Sequence, residues 1–325
     1  MSFMSSLSHL EDKNQTISVR LKSIAYEAKD VLLFEFVPLS GQKLPAFSAG
    51  GHIDIYLPNG LIRQYSLCNS PLDKDRYVIG VKRDPQSRGG STCMHDQLKV
   101  GNVFKISVPR NHFPLSDELR HSVLIGGGIG ITPLISMAHE LNAQNASWQM
   151  FCSFKNRSDV ALCGQFESYK VHLHIDDESP SGFLDIASIL NNAPEGTHFY
   201  CCGPEQMLNH FIELSKSFDL KRIHYEYFKP VATKPLGEGF EVNLHQTKKR
   251  FFVGPDQTIL QVLQKNGISA PGSCEQGICG TCETHVLKGI PDHRDSLLSA
   301  EEKSSNKVMM ICCSRSLSTS ITLDL

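Results

Sequence analysis

The chain has 325 residues, a formal net charge of −2 at pH 7 and a hydrophobic fraction of 40%. This length predicts two or three domains, and the near-neutral charge gives no indication of nucleic-acid or membrane-surface binding. We expect no transmembrane helix, because no apolar run reaches the roughly 18 residues that such a helix needs.

Residues 1–14 are polar and rich in serine, and they lack the apolar core of a secretory signal. We therefore expect a disordered leader and a cytoplasmic protein. The chain has 11 cysteines. In an intracellular chain of this length they indicate metal ligands and buried thiols rather than a disulfide framework.

Residues 15–114 are rich in predicted strands. Apolar and polar residues alternate over 17–24, and turns containing Gly, Pro or Asn separate the later strands. These are predicted at 31–36, 52–57, 77–81 and 104–108. Short strands at this spacing predict a closed antiparallel β-barrel, with one short helix at about 92–98.

Two motifs in this segment predict a site for a flavin phosphate and ring. Arg63 and Arg88 can pair with a phosphate, and amides of a glycine-rich turn at a helix start can donate to it. Tyr65 and Ser66 offer an aromatic face and a donor for the ring. Each motif alone is also compatible with a surface ion pair and a packing aromatic. The candidate residues are Arg63, Tyr65, Ser66, Lys82, Arg88, Gly89, Gly90 and Ser91.

Residues 115–228 alternate between predicted strands and helices. Strands are predicted at 122–125, 148–153, 171–175 and 198–202, and helices after the first strand and at 159–169, 185–191 and 204–218. This alternation predicts a parallel sheet covered on both faces. Thr132 is predicted to cap the first helix, with Pro133 in its first turn.

Two turns in this segment predict a dinucleotide crevice. A glycine loop follows the first strand and opens a helix, and a Cys-Gly-Pro turn follows the strand 198–202. The loop departs from G-x-G-x-x-G, because Pro133 replaces the last glycine. Lys155 and Arg157 could meet a 2′-phosphate, which leaves NADPH open beside NADH. The candidate residues are Gly126, Gly127, Gly128, Gly130, Thr132, Pro133, Cys202, Gly203 and Pro204.

Residues 229–239 contain Pro and Gly at short intervals and are predicted to be a linker. Residues 240–325 form the last predicted domain. Strands are predicted at 240–244 and 250–253, and a helix at 258–265 that stops at Asn266 and Gly267.

The last domain contains a C-x4-C-x2-C motif made of Cys274, Cys279 and Cys282. Cys312 follows after 29 intervening residues. This is the plant-type spacing for a [2Fe–2S] cluster. A structural zinc site would favour close cysteine pairs in both halves, which the sequence lacks. From spacing, Cys312 is favoured as the fourth ligand over its neighbour Cys313.

Taken in order, these motifs resemble the phthalate dioxygenase reductase family over residues 16–325, and within it the carnitine monooxygenase and vanillate demethylase reductases. The resemblance implies a multidomain fold: an FMN-binding antiparallel β-barrel, an NAD-binding α/β domain with a parallel sheet, and a β-grasp plant-type ferredoxin domain. It also implies NADH as donor and a Rieske-type oxygenase component as partner. It places Phe228 at the flavin and supports Cys312 as the fourth ligand.

The implied reaction is electron transfer from NADH through FMN and the cluster to the oxygenase. Thr132, Cys202 and Phe228 would line the hydride pocket, and no side chain is needed as acid or base. Two alternatives stay open. One is an FAD-containing reductase of a di-iron monooxygenase or of a separate ferredoxin. The other is a non-enzymatic redox sensor.

Overall fold

The computed structural model describes residues 15–39, 43–118, 120–166, 170–180, 182–228 and 237–325. The predicted leader at 1–14 and most of the predicted linker, 229–236, lie outside these ranges. The chain divides into two compact units, one of Thr16–Phe228 and one that contains Lys229–Leu325. The predicted boundary between residues 114 and 115 falls inside the first unit.

The first half of the first unit is an antiparallel barrel with strand order β4-β3-β6-β1-β2-β5. A bridge between Leu67 and Ile79 joins the ends of the first and last strands in this order. Cys68 N also donates to Val78 O at 2.9 Å. The barrel is therefore closed, as predicted. Its strands are β1 Thr16–Ala28, β2 Val31–Pro38, β3 His52–Tyr56, β4 Ile62–Ser66, β5 Tyr77–Lys82 and β6 Val103–Ser107.

Alternation in these strands directs one set of side chains inward. Phe34, Phe36, Ile53 and Ile79 are fully buried in the barrel core. The predicted short helix is α1, Gly90–Asp96, between β5 and β6. It begins about two residues earlier than the sequence predicts.

The second half of the first unit is a parallel sheet with strand order β11-β10-β7-β8-β9. Buried apolar clusters lie on its two faces. The chain leaves β7 in one direction for β8 and β9, then returns to the other side for β10 and β11. The order thus switches between β7 and β10, where α/β sheets form ligand crevices. The strands are β7 Ser122–Gly127, β8 Trp148–Phe154, β9 Val171–Ile175, β10 His198–Cys202 and β11 Ile223–Glu226.

Three α-helices accompany this sheet in the described residues: α2 Ile131–Ala143, α3 Ile186–Asn192 and α4 Glu205–Ser215. The helix predicted at 159–169 was wrong for the part that the structure describes. Two short 3-10 turns, Arg157–Asp159 and Cys163–Gln165, stand there instead. Leu162 has φ 61°, a left-handed conformation that ends any α-helix, and its N–H donates to Glu27 Oε1 at 2.6 Å.

The barrel and the parallel sheet pack on each other within the first unit. The apolar cluster on one face of the sheet also contains Val31 and Ala49 of the barrel. A Cβ added to Gly80 on β5 would lie 3.0 Å from Thr132 Cγ2. The predicted flavin half and the predicted nucleotide half therefore share one core.

The described part of the second unit is a mixed sheet with strand order β13-β12-β18-β14-β16. Its central pair, β12 and β18, is parallel. The helix α5, Ile259–Lys265, covers one face with four buried apolar residues. This is the expected β-grasp fold. The strands are β12 Phe240–Leu244, β13 Arg250–Val253, β14 Glu283–Lys288, β15 Pro291–Asp292, β16 Val308–Met310, β17 Arg315–Ser316 and β18 Ser320–Leu323.

In the described part of this unit the two helices, α5 and α6 (Ala300–Ser305), begin with capping boxes. At α5 the Thr258 hydroxyl accepts from Gln261 N, and the Gln261 side-chain oxygen accepts from Thr258 N. At α6 Ser299 and Glu302 form the same pair of bonds. Among the described residues, no helix combines the length and apolar character needed to cross a membrane.

Candidate functional site

Four buried cysteines meet at one end of the second unit. Cys274, Cys279 and Cys282 lie on the loop between α5 and β14, and Cys312 follows β16 directly. Their exposures are 7%, 1%, 2% and 3%. Glu275, Gly277 and Gly280 have φ values of 55°, 69° and 70°. This run of left-handed residues curls the loop around the sulfurs, and Gln276 N donates to Cys274 Sγ at 3.3 Å.

The thiols interact as a chain of neighbours. Hydrogen bonds from Cys279 and Cys312 lower the pKa of Cys274 to about 2, and the same contacts raise the pKa values of the two donors. Cys312 also contacts Cys282. Four thiolates at such close range require positive charge between them, which an iron–sulfur core supplies.

Within the described ranges, no three His, Cys, Asp or Glu side chains are grouped to hold a single metal ion. The pairwise contacts of the four thiols fit a group with two metal atoms, because each iron of a [2Fe–2S] cluster takes its own pair of ligands. The donor set and its burial therefore fit the predicted cluster.

Cys312 and Cys313 differ in their contacts. Cys312 contacts Cys274 and Cys282, and also the thiol of Cys313. Cys313 is half-buried, and its sulfur lies 2.5 Å from where a Cβ on Gly277 would be. Cys313 therefore packs behind the loop that carries the other three cysteines.

Asp295 supports this loop, a role that its place in the sequence did not indicate. Its Oδ2 accepts from the N–H groups of Leu297 and Leu298 at 3.2 and 2.8 Å, and Lys303 Nζ lies 3.6 Å from it. The next residue, Ser296, donates to Gly277 O at 3.0 Å. An acid buried at the end of a Gly-Ile-Pro-Asp-His-Arg turn was the available sequence signal.

The predicted flavin residues converge at one end of the barrel. Arg63, Tyr65 and Ser66 follow one another on β4. The Arg63 side chain crosses the start of α1, because a Cβ on Gly90 would lie 2.6 Å from its Nε. Gly89 has φ 95° and closes the turn. Only glycine at 90 lets the guanidinium reach this helix end.

The remaining predicted flavin residues surround the same turn. Ser91 Oγ accepts from Asp84 N at 3.1 Å, which fixes the loop that leads from Lys82 to the helix. Lys82 and Arg88 are exposed. Burial raises the pKa of Tyr65 and keeps its phenol neutral. A basic, amide-rich turn beside a half-buried aromatic fits a phosphate and a ring.

The two predicted nucleotide turns touch each other at the switch between β7 and β10. A Cβ on Gly130 would lie 2.6 Å from Cys202 O and 2.7 Å from Gly203 Cα. A Cβ on Gly127 would lie 2.6 Å from Pro204 Cδ. Gly128, with φ 52°, has no atom within 4 Å of its Cβ position. The glycines therefore allow close contact between the turns and leave an open edge above Gly128.

Thr132 does not cap α2, so that prediction was wrong. The helix begins at Ile131, and Gly130 precedes it without a side-chain cap. Thr132 lies inside the first turn, 2% exposed, and its hydroxyl donates to Ile129 O at 3.0 Å. Gly126 permits this early start, because a Cβ there would lie 2.6 Å from Ile131 Cγ2.

The predicted flavin and nicotinamide residues approach each other across β5. Leu67, next to Ser66, bridges Ile79, and the following Gly80 faces Thr132. Phe228 packs against the same apolar cluster as Thr132's neighbours Ile131 and Leu134. Both predicted sets of residues therefore border β5.

Glu226 is a residue of this crevice that sequence reasoning missed. It ends β11 directly opposite Cys202 on β10. Its Oε2 is buried and has no hydrogen-bond partner among the described residues. Burial raises the pKa of Glu226 to about 8. Desolvation and the nearby carboxyl also raise the pKa of the Cys202 thiol. In the sequence, the only indication of Glu226 is an acidic residue within the aromatic run Tyr225–Phe228.

Comparisons with known proteins identify the family of the chain. Residues 242–317 match the 2Fe-2S iron-sulfur cluster binding domain. The chain is 45% identical over 312 residues to phenoxybenzoate dioxygenase subunit beta of Ectopseudomonas oleovorans, covering 95% of this chain and 97% of the relative. It is 42% identical to vanillate O-demethylase oxidoreductase of Pseudomonas sp., covering 95% of this chain and 100% of the relative.

Two solved structures match nearly the whole chain. Phthalate dioxygenase reductase superposes with a TM-score of 0.74 at 33% identity, covering 96% of this chain and 99% of that one. An intact type IV self-sufficient cytochrome P450 monooxygenase superposes with a TM-score of 0.87 at 34% identity, covering 96% of this chain but 41% of that longer one. These matches confirm the predicted fold and cofactor set. The chain belongs to the phthalate dioxygenase reductase family, the NADH-dependent flavin and [2Fe–2S] oxidoreductases that serve as reductase components of oxygenase systems.

Proposed function

We propose that the chain is the reductase component of a two-component Rieske-type oxygenase. In this proposal electrons pass from NADH to FMN, then to the [2Fe–2S] cluster, and finally to the oxygenase. The main support for this proposal is that the first nucleotide turn contacts β5 next to the predicted flavin residues. The same chain also contains four buried thiols that contact one another.

Bound FMN supplies the chemistry that the side chains lack, because it accepts two electrons together and releases them singly. The protein's task is placement. Arg63 and the turn at 88–91 would hold the phosphate, and Tyr65 and Ser66 the ring. The backbone of 126–130 and 202–204 would hold the dinucleotide. Thr132, Cys202 and Phe228 would keep the nicotinamide against the flavin and exclude water. Cys274, Cys279, Cys282 and Cys312 would hold the cluster.

The names of the relatives also indicate which type of oxygenase accepts the electrons. Relatives named as a dioxygenase subunit and as a demethylase oxidoreductase align with this chain over almost their full lengths. These names support a separate oxygenase component as the electron acceptor. A cytoplasmic location belongs to the same proposal, since the described chain has 11 free cysteines, typical of a reducing compartment.

The test is reconstitution with purified, anaerobically handled protein. We expect FMN on release and mass measurement, and NADH-dependent product formation when a purified Rieske-type oxygenase is added. Replacing Cys279 with Ser should abolish cytochrome c reduction while flavin reduction by NADH continues. FAD in place of FMN, or equal support of a P450 domain and a Rieske oxygenase, would contradict the proposed type. If cytochrome c reduction survived Cys279→Ser, the electron order would be wrong.

A further inference from the structure

One proton has to leave the flavin site for each NADH that the chain oxidises. A hydride carries two electrons and one proton, whereas a [2Fe–2S] cluster accepts single electrons and no proton. With a one-electron acceptor, NADH and two oxidised acceptors therefore give NAD⁺, one proton and two reduced acceptors. That proton needs a route from the ring site to solvent.

A buried histidine lies beside Ser66, one of the predicted ring residues. His52 on β3 pairs directly with Ser66 on β4 in the antiparallel ladder, so both side chains lie on one face of the sheet. Side chains paired in this way have Cβ atoms about 5 Å apart, which permits a hydrogen bond directly or through one water. The neighbouring Ile53 belongs to the barrel core, so His52 lies on the outer face of the barrel.

The imidazole of His52 is buried without a bonding partner. The residue is 1% exposed, and neither Nδ1 nor Nε2 has a hydrogen-bond partner among the described residues. Burial, and then the nearby charges of Arg110 and His112, lower the pKa of His52 well below its usual value. The ring is therefore neutral at pH 7, and it has one nitrogen that can accept a proton and another that can release one.

A second histidine connects this buried ring with the surface. The rings of His52 and the exposed His112 are stacked, with centroids 5.4 Å apart and planes at 30°. The loop of His112 follows β6 and is fixed to β3, because His52 N donates to Arg110 O at 2.8 Å and Arg110 N donates to His52 O at 3.0 Å. Asn111 Nδ2 also donates to Ala49 O at 2.8 Å. The stack therefore runs in a fixed geometry from the barrel wall to solvent.

The other charged groups around His52 are less suited to carrying a proton. Arg110 Nη2 donates to Asp54 Oδ2 at 2.7 Å, and both side chains are largely buried. A guanidinium does not release its proton in a protein, and this one occupies the carboxylate beside it. On β4, the residues paired with His52 and Asp54 are the uncharged Ser66 and Gln64. Within the described part of this cluster, the histidines are the groups that exchange protons near pH 7.

We propose that His52 and His112 form the route by which the proton delivered with the hydride leaves the ring site, passing from the Ser66 hydroxyl to His52, then to His112, then to solvent. This inference rests on the proposed function of the barrel as the flavin site. The Ser66 hydroxyl accepts one proton as it donates its own, and the His52 ring does the same and returns to its neutral form. At each step one bond to hydrogen breaks and one forms, and no electrons move. The stacked rings exchange the proton directly or through one water.

The test separates the arrival of the hydride from the departure of the proton. Anaerobic stopped flow measures flavin bleaching by NADH alone, and a pH indicator in weak buffer measures proton release when ferricyanide is the one-electron acceptor. In His52→Gln we expect bleaching within about twofold of wild type but proton release at least about tenfold slower, since a positioned proton-transfer group typically contributes about 10²–10⁴-fold. A packing role alone would change both rates or neither.

Two further variants control this result. His112→Gln should also slow proton release, and added imidazole should restore the rate in this exposed variant but not in the buried His52→Gln. His172→Gln is the matched control, because this exposed histidine on β9 also stacks on an aromatic ring, that of Phe151, with centroids 4.6 Å apart. All its rates should equal those of wild type.

A readout without electron transfer completes the test. By nitrogen NMR of histidine-labelled protein, FMN added without NADH should shift the ring signals of His52 and leave those of His172 unchanged. Unshifted His52 signals, or proton release at the wild-type rate in His52→Gln, would overturn the inference and leave the proposed function standing. If His52→Gln does not bind FMN, His112→Gln decides, and proton release at the wild-type rate there overturns the inference. If NADH does not bleach the wild-type flavin, the proposed function itself fails.

Discussion

At the scale of single residues, the buried carboxyl of Glu226 should make the stability of the fold depend on pH. The pKa of its buried carboxyl is raised to about 8, from an ordinary value of 4.5. Between these values the folded protein keeps a proton that the unfolded chain has lost. Stability contributed by this group therefore falls as pH rises from about 4.5 to 8, and then levels. Glu226→Gln has no carboxyl to deprotonate and so lacks this fall in stability. Its melting temperature should therefore increase relative to that of wild type as pH rises from 5 to 8.

The control is Glu195→Gln on an exposed turn. Its melting temperature should differ from that of wild type by a constant amount across the same pH range. A constant difference for Glu226→Gln as well would show that the carboxyl is not held protonated in the folded chain.

The adjacent cysteines give a second prediction at this scale. Cys312→Ser should lower bound iron and sulfide and remove the visible cluster absorption, because Cys312 contacts Cys274 and Cys282. Cys313→Ser is its matched control, one residue away, and should keep the cluster. Equal loss of iron, sulfide and absorption in both variants, or their loss in Cys313→Ser alone, would contradict Cys312 as the fourth cluster ligand.

Residues whose role follows from their spacing along the chain could be predicted from the sequence. The three close cysteines and the glycines of the loop 126–130 are of this kind. Glu226 and Asp295 could not be predicted, because their significance comes from burial and from neighbours distant in the chain. Arg157 shows the same limit: its charge was visible, but Glu178, which occupies it, lies 21 residues away.

At the scale of elements, the two nucleotide turns depend on glycine at 130. An added Cβ would meet backbone atoms, Cys202 O at 2.6 Å and Gly203 Cα at 2.7 Å, which cannot rotate away. Gly130→Ala should therefore separate the turns, cost about 1–3 kcal/mol of stability and weaken ADP-ribose binding. Thermal unfolding and calorimetry measure the two effects.

Gly164→Ala is the matched control in the same unit, since its Cβ would have no atom within 4 Å. It should leave binding and stability nearly unchanged. Unaltered ADP-ribose binding in Gly130→Ala would show that contact between the turns at 130 and 202 is not needed for the dinucleotide.

The strands and helices were predicted correctly where a single periodicity dominated the order of apolar and polar residues. Strand alternation predicted the barrel strands within a few residues, and strand–helix alternation predicted the parallel sheet. The helix at 159–169 failed because the apolar spacing there serves a loop: Leu162 is left-handed, and its N–H is bound by Glu27 of the barrel. Such a tertiary contact leaves no local signal. The α2 start was misplaced for a different reason: Ile131 packs over Gly126, which has no side chain, and the helix begins there.

At the scale of the whole molecule, the order of motifs predicted the family and three folds in one chain. The domain limits at 15–114, 115–228 and 240–325 remain proposals, with 229–239 as a linker. The barrel and the parallel sheet share a core that spacing could not reveal. Gly80 and Thr132 meet in it, although 52 positions separate them in the sequence. That shared core is what brings the predicted flavin and nicotinamide residues together.

The central claim is that NADH reduces a cluster held by four cysteines through the flavin of the same chain. The most direct measurement is an anaerobic NADH titration followed by EPR, with iron and acid-labile sulfide determined on the same sample. We predict about two irons and two sulfides per chain and a reduced-cluster signal that grows with NADH. A sample without sulfide, or one whose signal appears with dithionite but never with NADH, would contradict the claim.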